Sequence, residues 1–360
     1  MSKKQKIKKI VHVVSSLNVG GAERFVLDLC KLQQKDGCNV AILSTGSKDD
    51  TLLADSETSQ IETLTLSKIP ILRTIQGYFF VRDCDVLHLH SPHTIKILLP
   101  FFRMLKACAI IYTRHGARSL QASHWKTLHI KMRKFVKGVS FVSNEGKDIF
   151  LQTHHWQGVP IQVIDNGVDL SAVNVRVTRS SNKKLKIGSV GRMVALKSQI
   201  TLLTSLASLE RHHQQEFEVH FFGSGDCQAS LQQYHQEHIP DINVVFHGMV
   251  SDRGMIYNEF DILCVTSETE GLSLAIIEAM AYERAVIATN VGGNPKLVEH
   301  DATGWLFEYQ DDIVLSEHLI RLLEHPEDVA TAGKKGREKV EKEFSLKTTA
   351  EKYYQLYDMD

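Results

Sequence analysis

The chain reads as an α/β protein of two Rossmann-like domains, and three observations predict it. Short β-rich runs alternate with helical stretches along the whole length, which is how βαβ units with parallel sheets look in a sequence. At 360 residues the chain exceeds the roughly 250–300 at which one hydrophobic core stops growing. The strand inventory divides into two comparable sets on either side of Asn166-Gly167-Val168-Asp169, so the domains are expected at 1–168 and 169–345, with 346–360 as a terminal helix.

In the first half, strands are expected at 9–14, 38–44, 85–90, 109–113, 138–142 and 161–164. The segment MSKKQKIKK is a basic tail, not the start of a leader, because the apolar run IVHVV that follows is short and leads into polar SSLN. AIIYTR is a strand ending at His115, and Gly116 lets the backbone turn there. The second half repeats the pattern at 185–190, 217–222, 242–246, 261–265 and 285–289. FDILCVTS stops at Ser267 and LAIIEAMA uses a helix former's alphabet, so EGLS between them is a strand-to-helix turn. The tail SLKTTAEKYYQLYD spaces Leu346, Tyr353 and Leu356 as a helix does.

Hydrophobic content of 43% suffices for two cores. The six cysteines lack paired short spacings, which points to reduced thiols and a cytoplasmic protein. No stretch reaches the ~18 apolar residues of a membrane span, since ILLPFF is broken by Pro100 and followed by Arg103.

Glu270 and Glu278 carry most of the functional signal. They stand eight positions apart at the entrance to the apolar helix, Glu270 in the turn and Glu278 inside. The helix N-terminus offers the N–H groups of Gly271, Leu272 and Ser273 to an oxygen-rich ligand. The same glutamates also suit a plain helix start with a solvated face. Upstream, KIGSVGRMVALKSQ places Arg192 and Lys197 after Gly191 at the start of a helical stretch, where two cations suit a diphosphate.

Together with NVGGNP at 290–295, this combination resembles the retaining glycosyltransferases of the GT-B fold, specifically the large family 4 that includes many bacterial polysaccharide and lipopolysaccharide enzymes. Glu270 and Glu278 match that family's Glu-x7-Glu signature as they stand. The resemblance spans nearly the whole chain: VHVVSSLNVGGAERFVLDLC with Gly20 and Gly21, TRHG with His115, VIDNGVD as a hinge, and FFGSGDCQASLQ. One departure is Lys296, where related sequences often carry an acid after GG-x-P.

The resemblance implies two domains facing across a cleft, with the terminal helix crossing back to the first. It implies retaining transfer of a sugar from a nucleotide-diphosphate sugar, UDP-linked, to a glycan or lipid-linked acceptor, with no metal and no cofactor. Glu278 would hold the ribose, Glu270 and the amides of Gly271 to Ser273 the donor sugar, and His115 would contact that sugar. Arg192, Lys197 and the amides near Gly20 and Gly21 would face the diphosphate. A sugar-nucleotide epimerase of the same architecture and a nucleic-acid-binding protein are the alternatives. The epimerase should show further carboxylates around the sugar, and the nucleic-acid reading leaves the glutamate pair unexplained.

Other signals point elsewhere. The glycines of LNVGGAE and GSGD lack the full GxGxxG pattern of a nicotinamide site. Asp83-Cys84-Asp85 has the form of a metal-binding DxD, yet Asp85 opens the strand DVLHLH and so caps a loop. His88 and His90 share a strand face without a clear third metal ligand. Charge is lopsided: residues 1–168 hold 23 Lys and Arg against 13 Asp and Glu, while 169–360 hold 19 against 29. Within the basic half, residues 124–138 repeat apolar Trp125, Leu128, Met132 and Phe135 or Val136 with Lys126, Lys131, Arg133, Lys134 and Lys137 between them. That is a basic amphipathic helix suited to an anionic membrane surface, or a domain helix burying its apolar face. The first reading makes the protein peripheral on the inner face of the cytoplasmic membrane.

Overall fold

The computed structural model describes residues 9–105, 107–116, 123–153, 156, 158–175 and 184–358. The basic tail at 1–8 and part of the segment after TRHG lie outside them. The chain divides into two compact units, Met1–Gly167 with Leu346–Asp360, and Val168–Ser345.

The first unit carries seven parallel strands: β1 (Lys9–Val14), β2 (Asn39–Ser44), β3 (Glu62–Thr65), β4 (Val86–Leu89), β5 (Ala109–Arg114), β6 (Val136–Phe141) and β7 (Ile161–Val163). Their order is β3-β2-β1-β4-β5-β6-β7. In the second unit, β8 (Leu185–Val190), β9 (Phe217–Phe222), β10 (Asn243–Gly248), β11 (Ile262–Val265), β12 (Ala285–Thr289) and β13 (Trp305–Phe307) run in the order β10-β9-β8-β11-β12-β13. The two sheets belong to separate α/β units, as the alternating pattern predicts.

Both central sheets are apolar on two faces, which parallel strands covered by helices require. Val11, Val13, Leu87, Leu89, Tyr112 and Phe141 anchor the first core, and Ile187, Val219, Phe221, Ile262 and Ile287 the second. Each such side chain contributes about 1.5–3 kcal/mol of burial. The helix Leu346–Tyr357 packs in the first unit, and a Cβ on Gly138 of β6 would stand 2.5 Å from Leu356 Cδ1. Only glycine at 138 leaves room for that leucine.

Three expectations need correction. The helix predicted over 124–138 runs only from Ser123 to Met132, and Val136 to Gly138 are already strand β6. A turn intervenes, closed by Phe135 N donating to Met132 O at 2.9 Å, and β-branched Val136 then pairs with β5. Two strands were not anticipated. ETLT of β3 is a half-polar edge strand, and β13 has only three residues, so neither presents a run long enough to read.

The apolar positions of Ser123–Met132 and the turn after it, Leu128, Met132 and Phe135, pack on the first core, while Lys126, Lys131 and Lys134 are exposed. Ile130 of the same helix is exposed, and further exposed large apolar side chains lie on the helix Pro70–Val81, with Ile71 76% and Phe79 57% exposed. No helix among the described residues is long and apolar enough to cross a membrane. All six cysteines are free, and the Cys84 and Cys108 sulfurs lie 3.1 Å apart.

Candidate active site

Strand order reverses in the second sheet between β8 and β11, and in such sheets the ligand crevice lies outside the carboxyl ends at the reversal. The loops leaving those two strands are stitched together. Thr266 Oγ1 donates to the Lys197 carbonyl at 2.9 Å and Glu268 N to the Leu196 carbonyl at 2.9 Å. That brings Lys197 Nζ to 2.5 Å from Glu270 Oε1, which also accepts from Ser267 Oγ at 2.7 Å. Lys197 is the last residue of a short 3-10 turn, Ala195–Lys197, ahead of the helix Ile200–Ala207. Arg192 is exposed, and no hydrogen bond or ion pair of its guanidinium is present among the described residues.

Neighbouring glycines hold this loop. Gly223 and Gly225, at φ +130° and +158°, leave no room for side chains: a Cβ on each would stand 2.1 Å from the Gly191 carbonyl oxygen and 2.3 Å from that of Met193. The loop after β9 therefore lies directly under Gly191 and Met193, with Met193 N donating to Ser224 O at 2.9 Å. Gly293, from NVGGNP, packs its backbone against the Gly271 carbonyl in the same way. Gly271, Leu272 and Ser273 are buried at the start of the helix Leu274–Ala281. Lys296 is exposed one turn further on.

Glu278 sits inside that helix, 7% exposed. Its Oε1 accepts from Arg253 Nε at 2.6 Å and its Oε2 from the Tyr257 hydroxyl at 2.6 Å. Arg253 and Tyr257 lie on the short helix Arg253–Tyr257, capped by Asp252. Sequence reasoning missed both, because nothing in their spacing from Glu278 tells which loop folds onto it.

The first sheet reverses between β1 and β4. His12 lies opposite His88 in their register, and His90 follows β4. Gly20 caps the helix Gly21–Lys35, where a Cβ on Gly20 would stand 2.5 Å from Glu23 Oε2. His115 follows β5, half-buried, with its Nε2 2.9 Å from His90 Nδ1 and its Nδ1 buried without a hydrogen-bond partner among the described residues. His90 Nε2 lies 2.9 Å from His12 Nδ1, and His12 Nε2 2.8 Å from Gln33 Oε1. His88 joins Tyr357 OH at 2.8 Å and Thr113 Oγ1 at 2.6 Å. Burial pushes the pKa of His12 and of His115 down to about 4, the Gln33 bond opposing the shift at His12. Burial, then the neighbouring histidines, hold His88 and His90 well below the usual range.

His12 supplies the third histidine that 88 and 90 lacked in the sequence, and the three have ligand atoms within 4.8 Å of one another. All six of their ring nitrogens are nevertheless engaged in the bonds just given, so a cation there would have to break them. Asp85 lies at the other end of the sheet, accepting from Lys9 N at 2.7 Å, and Asp83 is exposed beside Arg82.

Residues 19–172 match the family described as Glycosyltransferase Family 4, and residues 173–339 that described as Glycosyl transferases group 1. The chain is a GT-B glycosyltransferase. Several of its relatives are named as glycosyltransferases of bacterial polysaccharide synthesis. UDP-Gal:alpha-D-GlcNAc-diphosphoundecaprenol alpha-1,3-galactosyltransferase of Escherichia coli is 22% identical over 376 residues, covering 97% of this chain and 96% of its own. Poly(ribitol-phosphate) alpha-N-acetylglucosaminyltransferase of Staphylococcus aureus is 25% identical over 173 residues, 48% of this chain, which spans only 35% of that relative's length. The crystal structure of Anabaena HepE with UDP and glucose superposes with a TM-score of 0.81 at 18% identity, over 97% of this chain and 98% of that one.

Proposed function

We propose that this glycosyltransferase moves a sugar from a UDP-linked donor to a glycan or lipid-linked acceptor, with retention at the anomeric carbon and without a metal. The observation that carries the reading is the joined pair of loops at the β8/β11 reversal, where Lys197 bridges to Glu270 and Arg192 stands exposed beside it. The UDP complex of the Anabaena protein and the names of the two relatives support the donor class and the acceptor class.

Breaking the bond between the anomeric carbon and the diphosphate oxygen leaves positive charge on the ring and negative charge on the leaving group. Arg192 and Lys197 offset the latter, which takes the place of a divalent cation. Glu270, held by Lys197 and Ser267, receives hydroxyls of the sugar, and Glu278, oriented by Arg253 and Tyr257, receives the ribose. The acceptor hydroxyl bonds to the anomeric carbon as its proton passes to a phosphate oxygen on the same face. The products are the glycoside and the nucleoside diphosphate, and the anomeric configuration is kept. In the first domain, His115 contacts the transferred sugar.

Peripheral docking on an anionic membrane through exposed Lys126, Lys131 and Lys134 completes the reading, since a lipid-linked acceptor resides there. The contact is electrostatic because the apolar face of that helix is spent on the core. Lys137 is half-buried on β6 and drops out of the set.

The test incubates the protein with a panel of labelled nucleotide sugars, with and without membrane lipid and with chelator present. UDP-sugar turnover that survives chelation, and a product with the donor's anomeric configuration by proton NMR, are expected. Strict dependence on added divalent metal sinks the metal-free mechanism, and an inverted product sinks retention. Sedimentation with anionic vesicles that is unaffected by reversing the three lysines to Glu sinks the docking surface.

A further inference from the structure

Gln33 and three histidines form one continuous hydrogen-bonded chain. Gln33 Oε1 can only accept, so His12 Nε2 carries the proton that reaches it. A neutral imidazole has one N–H, which leaves His12 Nδ1 as a lone pair for His90 Nε2–H. By the same rule His90 Nδ1 receives His115 Nε2–H. The ring at the end is left with a bare Nδ1, and that atom is buried with no hydrogen-bond partner among the described residues. Each ring is kept neutral by its burial, as the low pKa values of the cluster require.

We propose that Gln33, His12 and His90 are positioning residues that fix the ring tautomer of His115, so that its Nδ1 presents a lone pair to a hydroxyl of the sugar substrate. A second branch leaves the same amide. The Gln33 amide nitrogen donates to the Tyr357 hydroxyl at 3.3 Å, which sends its own proton to His88 Nδ1, and His88 Nε2 donates to Thr113. One amide thus sets both branches. Turning it over would reverse every donor and put a proton on His115 Nδ1, so that ring reports the state of the whole network.

The hydroxyl ligand rests on the reading of His115 as a sugar contact, but the tautomer is read without any substrate. Histidine is labelled with 15N in the intact protein, and two-bond 15N–1H spectra separate protonated from bare ring nitrogens. His115→Asn removes one pair of signals and identifies it. A bare Nδ1 and a protonated Nε2 are expected in the unaltered protein. Gln33→Met, which offers no oxygen, should leave His115 as a mixture of tautomers and lower kcat/KM for the nucleotide sugar about tenfold, the value of one hydrogen bond. A protonated His115 Nδ1 in the unaltered protein overturns the proposal even where the variant does not fold, and so does a tautomer unmoved by Gln33→Met. A tautomer that shifts while kcat/KM stays unchanged overturns the assignment of a sugar hydroxyl to His115, leaving its tautomer set by Gln33.

Discussion

Replacing Lys197 with Met removes one cation and strands one carboxylate, and the two consequences separate. For turnover, Lys197 is in the proposed reaction one of two cations that meet the charge developing on the leaving diphosphate. Losing a single preorganised donor of this kind costs about 10²–10³ in kcat, or about 2.7–4 kcal/mol. For stability, Glu270 keeps its Ser267 hydroxyl but loses Lys197, and its side chain is only 10% exposed. Leaving a buried acceptor without its partner costs about 1–3 kcal/mol, and a domain of this size loses roughly 2–4 °C in Tm per kcal/mol. Lys197 itself is 29% exposed, so solvent screening puts the loss toward the low end.

The assay is steady-state turnover of a labelled UDP-sugar beside thermal denaturation of the same preparations. The double variant Lys197→Met with Glu270→Gln should recover most of the Tm, because the amide needs no cation. It should not recover kcat. A single variant that turns over within a few-fold of the unaltered protein would refute the assignment of Lys197 to the diphosphate. A double variant that regains both Tm and kcat would mean that the pair is a structural clasp.

Arg192→Ala should lower kcat by about 10²–10³ yet leave Tm unchanged, since its exposed guanidinium holds no partner among the described residues; a fall in Tm without a fall in kcat would reverse that reading. Tyr257→Phe deletes one of the two groups on Glu278 and should cost about 1.5–3 kcal/mol of stability together with nucleotide affinity, measured by denaturation and titration with UDP; unchanged affinity would remove Glu278 from the ribose site. Acid should weaken the first domain. His12 takes its proton near pH 6.5 when unfolded and near 4 when folded, so the unfolded chain binds more protons between those values, and stability present above pH 6.5 drains away as pH falls toward 4. That loss is roughly 2 kcal/mol per such ring by pH 5. A urea midpoint for the first domain that is flat from pH 7 to 5 would contradict it.

The sheets were legible because their strands are short, mostly apolar runs rich in β-branched and aromatic residues. Lys9–Val14, Leu185–Val190, Phe217–Phe222 and Ala285–Thr289 begin and end where the pattern does. Basic periodicity misled at 124–138, since spacing of Lys and apolar residues continues smoothly through a point where the backbone leaves the helix and enters β6. Glu270, Lys197 and Arg192 could be found because each lies next to a strand end. Arg253 and Tyr257 could not, because their contact with Glu278 joins segments whose sequence separation carries no period. His12 falls between these cases: IVHVV and DVLHLH each show a histidine inside a strand, and the reversal of strand order at β1 and β4 makes those strands neighbours.

The chemistry of the histidines then bears on the lysine. Were His12, His88 and His90 charged, the first domain would carry three further cations. Their rings are neutral at pH 7, held so by burial and by bonds that use every nitrogen. His115 is neutral through burial alone. In the proposed reaction these histidines therefore orient a hydroxyl and supply no positive charge to the diphosphate, which leaves that task to Arg192 and Lys197. Raising the ionic strength screens exposed charge and leaves a buried neutral network untouched. Added salt should accordingly weaken UDP binding while His115 keeps its tautomer.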